Sequence, residues 1–289
     1  MDVGKVAVIT GASSGIGKET AKALIAQGWR VIGQGRDAGR SASAQAEIAA
    51  EAANGGSVEL LMADLSELGE VMRLADEIKA RTDRIDVLLN NAGGVRSELA
   101  ITSECNEATF AGNHLGHFLL TRELMPLLEK AAADSPAGAT RVISSSSRAH
   151  MHCQGVDWSD PQMLANWNSV PAYAFAKLAN ILFTRELAAR LEGTGIVAHA
   201  FHPGVVDSNF ATHGGQGMVE YMAKSPELIG PAEAARTALF LATSPEAGQS
   251  SGGYWSECKP ESTLPLARDD DAAAMLWQIS EELVAKAGY

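Results

Sequence analysis

The chain has few cysteines and few basic residues, and each shortage argues against a class of protein. Its three cysteines, Cys105, Cys153 and Cys258, are odd in number and unclustered, which predicts reduced thiols rather than a disulfide framework. With 23 Lys and Arg against 35 Asp and Glu, the net charge is -12. A chain this acidic cannot neutralise phosphates over an extended face, so we expect neither nucleic acid nor an anionic membrane surface as a partner.

Long hydrophobic runs are also missing. Although 46% of the residues are hydrophobic, no apolar stretch reaches the length that a bilayer-spanning helix needs. A predicted strand begins by about Lys5, which leaves no room for a signal peptide or an anchor helix before it. We therefore expect a cytoplasmic protein that does not bind membranes.

A strand, a glycine-rich turn and a helix follow one another at the start of the chain. Residues 5–10 form a short run rich in β-branched residues, typical of a buried strand, and the turn Thr-Gly-Ala-Ser-Ser-Gly-Ile-Gly at 10–17 leads into a helical pattern. Backbone N–H groups and the positive end of a helix meet in such a turn, where a pyrophosphate can bind. Gly11 would permit the tight turn, Gly15 the approach of the phosphate, and Gly17 the contact of helix and strand. The sequence predicts a dinucleotide site at Gly11, Ser13, Ser14, Gly15, Ile16 and Gly17.

Tyr173 and Lys177 are four residues apart in a helical pattern, so their side chains share one face. A phenol has a pKa near 10, and lowering it to about 7 requires about 4 kcal/mol of preferential stabilisation of the phenolate. A neighbouring cation in a partly desolvated cleft can supply an effect of that size. The spacing alone is a weak signal, because a Tyr and a Lys often share a helix by accident.

Strand and helix patterns alternate along the whole chain, without a linker or a shift in composition. This order predicts an α/β fold with a doubly wound (Rossmann) parallel sheet of about seven strands and helices on both faces. We expect one domain over residues 1–289, with a cofactor half at about 1–140 and a catalytic and substrate-pocket half at about 141–289. Predicted helices include long ones at roughly 104–131 and 171–192 and a final one at 271–286.

Further motifs follow the glycine turn in a fixed order. The glycine spacing is G-x-x-x-G-x-G, and Asn90–Gly93 reads N-N-A-G. Then come Asn113, the serine run that ends at Ser147, the Tyr-x-x-x-Lys pair and the Pro-Gly at 203–204. Together these motifs resemble the short-chain dehydrogenase/reductase family. Within it, the runs at 113–120, 177–183 and 251–255 look most like the retinol-dehydrogenase-like branch.

The resemblance implies reversible hydride transfer between a nicotinamide and a carbonyl or alcohol carbon. Tyr173 would be the general acid or base, Lys177 would lower its pKa and hold the ribose, and Ser147 would donate a hydrogen bond to the substrate oxygen. Asn113 would hold a water next to Lys177. Local sequence alone does not separate Ser146 from Ser147. The implied cofactor contacts, besides the glycine turn, Tyr173 and Lys177, are Arg36, Asp64, Leu65, Asn91, Ala92, Gly93, Pro203, Gly204 and Val206.

The residues that end the second strand bear on the choice of nicotinamide cofactor. A carboxylate there accepts the ribose 2′-hydroxyl of NAD, whereas an Arg accommodates the 2′-phosphate of NADP. The chain has Gly35 and then Arg36, so we expect NADP(H), with NAD(H) as the alternative. Two residues favour NAD(H) instead. Asp37 is an acid directly next to Arg36, and Ser14 stands where many NADP-preferring relatives have a second basic residue. Asp64 would hold the adenine or cap the following helix.

Two variable stretches, 148–172 and 205–230, should form the substrate pocket. Both carry bulky apolar residues, with glycines beside them in the second stretch, which suggests a hydrophobic ketone, aldehyde or alcohol of medium size. The Trp residues of the first stretch could equally belong to the core. Membrane-bound relatives of the retinol-like branch carry an N-terminal hydrophobic segment, and we expect none here. The two long helices at 104–131 and 171–192 would pair subunits, giving a homodimer or homotetramer as in relatives.

Several other functions fit the sequence less well. His150, His152 and Cys153 lie in a loop without a second spaced pair, so we predict no metal site. A hydrolase triad of Ser147 and His202 lacks the G-x-S-x-G turn. His114 and His117 are expected to pack beside the sheet. A nucleotide-sensing regulator with little turnover stays open, as does, less favoured, an epimerase or dehydratase of the longer related family.

Overall fold

The computed structural model describes residues 4–153, 155–207 and 225–289. The cofactor half contains β1 (Val6–Ile9), α1 (Gly15–Ala26), β2 (Arg30–Gly35), α2 (Ala38–Ala49), β3 (Ser57–Met62), α3 (Leu68–Lys79) and β4 (Val87–Asn90). Next come α4 (Ala108–Phe110), a π-helical turn (Ala111–Leu115), α5 (Gly116–Ala133), β5 (Thr140–Ser145), a 3-10 turn (Arg148–His152) and α6 (Ser169–Arg190). The remaining elements are β6 (Ile196–His202), β7 (Val205–Val206), β8 (Leu228–Ile229), α7 (Pro231–Thr243), β9 (Gly253–Ser256), β10 (Lys259–Pro260) and α8 (Asp270–Lys286).

The described strands form one large sheet in the order β3-β2-β1-β4-β5-β6-β9-β10, and β7 pairs with β8 beside it. All neighbours in the large sheet are parallel except β9 and β10. The predicted doubly wound parallel sheet is confirmed, with a short antiparallel edge strand added to it. From β1 the order runs outward in both directions, with β2 and β3 on one side and β4, β5 and β6 on the other. Ligands bind at such a switch point, beyond the carboxyl ends of the strands.

Two hydrophobic layers cover the sheet, one on each face. Successive residues of β1 point to opposite sides: Val8 packs in the layer formed by α3, α5, α6 and α8, and Ile9 in the layer formed by α1, α2 and α7. Strands buried on both faces read as continuous apolar runs, which is why residues 5–10 carry no polar alternation. Packing on both faces fixes the sheet, and with it the carboxyl ends of the strands where a ligand is expected to bind.

The long helix begins later than the sequence predicted and contains an irregular turn. Glu107 caps α4, because its carboxylate accepts hydrogen bonds from the backbone N–H groups of Thr109 at 2.9 Å and Phe110 at 2.7 Å. The predicted start at about 104 was therefore wrong. The π-helical turn that follows carries Asn113. Turns of this kind are frequent at functional sites.

Helix α8 packs across α5 and α6. The ring of Trp277 lies 5.0 Å from the ring of Phe118 and 5.9 Å from that of Phe183. Ser280 Oγ lies 2.8 Å from His114 Nε2. Part of the surface that was expected to pair subunits is thus buried within the chain. In the described ranges, no helix has both the length and the apolar character needed to cross a membrane.

Candidate active site

The turn between β1 and α1 has the backbone conformation that the glycine motif predicts. Gly11 has φ of 69° and Gly15 has φ of 55°, a region that residues with a Cβ rarely adopt. A Cβ on Gly17 would lie 2.4 Å from the Gly11 carbonyl oxygen, so helix and turn touch at this point. Ser13, Ser14 and Ile16 complete the turn at the N-terminus of α1. Backbone N–H groups at the N-terminus of a helix can bind an anionic group such as a pyrophosphate.

The N-N-A-G segment is held against the end of β1 by Thr10. The Thr10 hydroxyl oxygen accepts hydrogen bonds from the backbone N–H groups of Asn91 at 2.8 Å and Ala92 at 2.9 Å. The Asn91 side chain in turn donates to the Thr10 carbonyl at 2.9 Å. Two of the sequence motifs, about 80 residues apart, are therefore joined at the switch point of the sheet.

Asn113 holds the far end of the same segment. Its buried side-chain amide donates to the Gly94 carbonyl and to the Thr109 carbonyl, both at 2.8 Å. A Cβ on Gly93 would lie 2.4 Å from Asn113 Oδ1 and 3.2 Å from Lys177 Nζ. The structure therefore brings Gly93, Asn113 and Lys177 together.

The structure separates the two serines that local sequence left equivalent. Ser146 is buried, and its hydroxyl donates to the Lys177 carbonyl at 2.7 Å. Ser147 is half-buried at the start of the 3-10 turn, where its hydroxyl oxygen accepts from Ala149 N–H at 3.1 Å. Ser147 also lies close enough to the Tyr173 hydroxyl to lower the pKa of that phenol. Ser147 is thus the serine that faces Tyr173.

Burial dominates the electrostatics of the Tyr173 and Lys177 pair. Lys177 Nζ lies 5.5 Å from the centre of the Tyr173 ring and donates to the Ser145 carbonyl at 3.3 Å. Burial lowers the pKa of Lys177 to about 8. Burial also raises the pKa of the Tyr173 phenol, and the neighbouring Ser147 opposes this only in part. The lowered phenol pKa that the spacing predicts is therefore not a property of the polypeptide alone.

The end of β2 has room for a glycine and for little else. A Cβ on Gly35 would lie 2.3 Å from Ser41 Oγ and 3.1 Å from Ser13 Cβ. Ser41 Oγ is buried and has no hydrogen-bond partner within the protein. Arg36, half-exposed, lies with Nη1 3.4 Å from Asp64 Oδ2. Sequence reasoning missed Ser41, because a serine in the second turn of an Ala-rich helix carries no signal until β2 and α2 are packed together.

Asp64 fixes the turn that precedes α3. Its Oδ1 accepts from the backbone N–H and the hydroxyl of Ser66 at 3.0 and 2.7 Å. Burial would raise the pKa of this carboxyl, but the bonds from Ser66 and the charge of Arg36 hold it below its usual value. Leu65 is buried against the backbone of Gly116. Asp64 therefore caps this turn rather than helix α3, which begins only at Leu68.

The Pro203 to Val206 segment leaves β6 at the same edge of the sheet. Gly204 has φ of 97°, and a Cβ there would lie 2.7 Å from Ile229 Cδ1. Val206 is buried and pairs with Ile229 in the β7–β8 ladder. Most of the second predicted pocket stretch, with Phe210, Gly214, Gly215, Gly217, Met218, Tyr221 and Met222, lies outside the described residues.

Two of the side chains considered as metal ligands, those of His150 and Cys153, contact backbone carbonyl oxygens of their own loop. His150 Nδ1 lies 2.7 Å from the Ser147 carbonyl oxygen, and Cys153 Sγ lies 3.6 Å from the Gly155 carbonyl oxygen. In the part of the chain that the structure describes, His, Cys, Asp and Glu side chains form no group of three that could hold a metal ion.

Comparison with known proteins agrees with this arrangement. The sequence pattern described as short chain dehydrogenase matches residues 5–157. The chain belongs to the short-chain dehydrogenase/reductase family. It is similar to retinol dehydrogenase 12 of Bos taurus, with 40% identity over 97% of this chain and 86% of the relative. The predicted retinol-dehydrogenase-like resemblance is thus confirmed, and the protein is an NAD(P)-dependent oxidoreductase acting on CH–OH or C=O groups.

Solved structures give the same result for this short-chain dehydrogenase. A putative uncharacterized protein from Mycobacterium paratuberculosis superposes with a TM-score of 0.76 and 31% identity, over 97% of this chain and 93% of the other. A Pseudomonas aeruginosa RhlG/NADP active-site complex superposes with a TM-score of 0.69 and 28% identity, over 87% and 93%. The second relative carries NADP in its active site.

Three buried histidines predict a loss of stability in mild acid. Burial lowers the pKa of His114 to about 3 and those of His117 and His202 to about 4. An unfolded histidine titrates near 6.5, so below that pH the unfolded chain binds protons that the folded chain does not. Stability is therefore fully present above about pH 6.5 and falls as the pH drops, by about 2 kcal/mol per histidine at pH 5.

Urea denaturation between pH 7 and pH 5 measures this loss in the free energy of unfolding. His114→Gln should make the loss smaller by the contribution of one histidine. Equal stability at both pH values would contradict the prediction.

Proposed function

We propose that this short-chain dehydrogenase transfers a hydride between NADP(H) and a hydrophobic ketone, aldehyde or alcohol, with Tyr173 as general acid or base. The observation that carries the proposal is the position of Ser147 beside the Tyr173 hydroxyl, close enough to lower the pKa of that phenol. Lys177 lies beneath the same phenol, 5.5 Å from the ring centre. A nicotinamide cofactor supplies the hydride when it is bound.

In the direction of reduction, Tyr173 donates its proton to the substrate oxygen. Since burial raises the pKa of this phenol, the polypeptide keeps it protonated and ready to donate at neutral pH. The Ser147 hydroxyl donates a hydrogen bond to the oxygen on which negative charge develops. Lys177, with a pKa of about 8, is cationic at neutral pH and stabilises the phenolate left behind. Oxidation of an alcohol uses the same groups in reverse.

Residues at the end of β2 favour NADP(H) over NAD(H). NAD selection needs a carboxylate that accepts the ribose 2′-hydroxyl, and a side chain at Gly35 would begin 2.3 Å from Ser41 Oγ. A 2′-phosphate instead offers acceptor oxygens to the unpartnered Ser41 hydroxyl and to the guanidinium of Arg36. The donor set fits a phosphate better than a hydroxyl.

The loop between Ser147 and Tyr173 supports an apolar substrate. Met151 and Val170 expose 48% and 56% of their surfaces, although both are hydrophobic. Trp158 and Met163 of the same loop pack against the core instead. We propose Met151 and Val170 as apolar contacts for the substrate. We further propose that the protein works in the cytoplasm and as a homo-oligomer.

An absorbance assay at the reduced-nicotinamide band tests the proposal. The panel contains ketones, aldehydes and retinoids of matched size, each with NADPH and with NADH. We expect turnover of at least one apolar carbonyl compound and a preference for NADPH. Tight NADPH binding with no turnover across the panel would instead favour the nucleotide-sensing regulator.

A further inference from the structure

Four hydrogen-bonded links close a ring around the Asn91–Gly94 segment. The Thr10 hydroxyl holds the segment at its start, and the Asn113 side chain holds it at Gly94. His117 joins these two holders: its Nδ1 lies 3.0 Å from the Asn113 carbonyl oxygen, and its Nε2 lies 2.9 Å from Thr10 Oγ1. His117 exposes only 2% of its surface, so water does not compete for either nitrogen.

The chemistry of the partners assigns every proton in this ring. A carbonyl oxygen only accepts, so the hydrogen of His117 is on Nδ1, and Nε2 of the neutral imidazole accepts. The Thr10 hydroxyl then donates to Nε2, a closer acceptor than the Leu89 carbonyl at 3.3 Å. Both lone pairs of Thr10 Oγ1 remain for the N–H groups of Asn91 and Ala92. Replacing His117 by an apolar residue would leave one buried acceptor and one buried donor to find other partners.

The ring lies directly beside the amine of the proposed catalytic pair. A Cβ on Gly93, in the middle of the held segment, would come within 3.2 Å of Lys177 Nζ. A small displacement of the segment would therefore change the space around that amine. Misplacement of a reacting group by about 1 Å can cost about 100-fold in rate.

We propose that His117 is a positioning residue, which fixes the Asn91–Gly94 segment against Lys177 by joining Thr10 to Asn113. This inference rests on the proposed function for its effect on turnover, but not for its effect on the segment itself. It also gives a reason for the second histidine of Asn113-His114-Leu115-Gly116-His117, which sequence reasoning assigned only to packing.

Amide hydrogen exchange in the protein without cofactor tests the positioning directly. His117→Phe should speed exchange at the Asn91 and Ala92 amides by about tenfold, because opening of the segment becomes easier. His114→Phe is the matched control: it removes a buried histidine that bonds Ser280, outside the ring. Thr10→Val should reproduce the fast exchange, whereas Thr10→Ser keeps the hydroxyl and should keep these amides protected.

Turnover and NADPH affinity supply the second readout. We expect His117→Phe to lower kcat by roughly 10- to 100-fold, and His114→Phe to stay within about threefold of the wild type. A double variant of Thr10→Val with His117→Phe should be no worse than either single variant, since both break one ring.

Unchanged exchange at Asn91 and Ala92 in His117→Phe would overturn the inference, as would equal losses of kcat in His114→Phe. Should the wild type turn over no carbonyl compound, the proposed function fails, while the exchange measurements still decide the role of His117. If His117→Phe does not fold, exchange at the same two amides in the smaller variant His117→Ala decides between the same two outcomes.

Discussion

Tyr173→Phe should lower turnover by about 10²- to 10⁴-fold, the usual range for loss of acid–base assistance. The substitution removes only the hydroxyl that lies beside Ser147. The ring stays in place, and so does its packing next to Lys177 Nζ, 5.5 Å from the ring centre. We therefore expect NADPH affinity to be retained, so that the loss appears in kcat.

Single-turnover absorbance and a fluorescence titration with NADPH separate these two quantities. Tyr254→Phe is the matched control. Burial raises the pKa of the Tyr254 phenol as well, but this tyrosine lies on strand β9 and not on α6. The control should keep kcat within about threefold of the wild type. Near-normal turnover of Tyr173→Phe would remove Tyr173 from its proposed role.

Arg36→Asp should reverse the cofactor preference. A charge-assisted hydrogen bond contributes about 1.5–3 kcal/mol, so loss of the Arg36 contact alone would weaken NADPH binding by roughly 10- to 100-fold. The new carboxylate would also repel a 2′-phosphate and accept the 2′-hydroxyl of NADH. We expect the ratio of NADH to NADPH dissociation constants to fall by about 10²- to 10³-fold.

The two dissociation constants are measured by fluorescence titration of the same preparation. Arg236→Asp makes the same change of charge on the exposed face of α7, away from β2, and should leave the ratio unchanged. If Arg36→Asp also leaves the ratio unchanged, the 2′-phosphate is recognised elsewhere, with the Ser41 hydroxyl as the first place to look.

Fold prediction succeeded where local pattern and packing agree. The strand predicted at residues 5–10 is β1, whose four residues are all buried, as a parallel strand covered on both faces requires. Prediction failed where a distant partner decides the outcome. The Lys259–Pro260 strand is two exposed residues, and it exists only because Pro260 pairs with Trp255. Nothing within those two residues indicates a strand.

The candidate site divides in a similar way. Gly11, Tyr173 and the other motif residues could be named in advance as candidates, because their order and spacing match the motifs of the family. The roles of Ser41 and His117 depend on which element folds against which. Ser41 matters only once α2 places its hydroxyl under Gly35, and His117 only once α5 places its ring against Thr10.

Helix α8 has a consequence for how this protein meets copies of itself. The Trp277 ring packs edge-on against Phe118 and stacks on Phe183, so it covers both rings. A second copy of the chain could contact these two rings only if α8 moved away from α5 and α6.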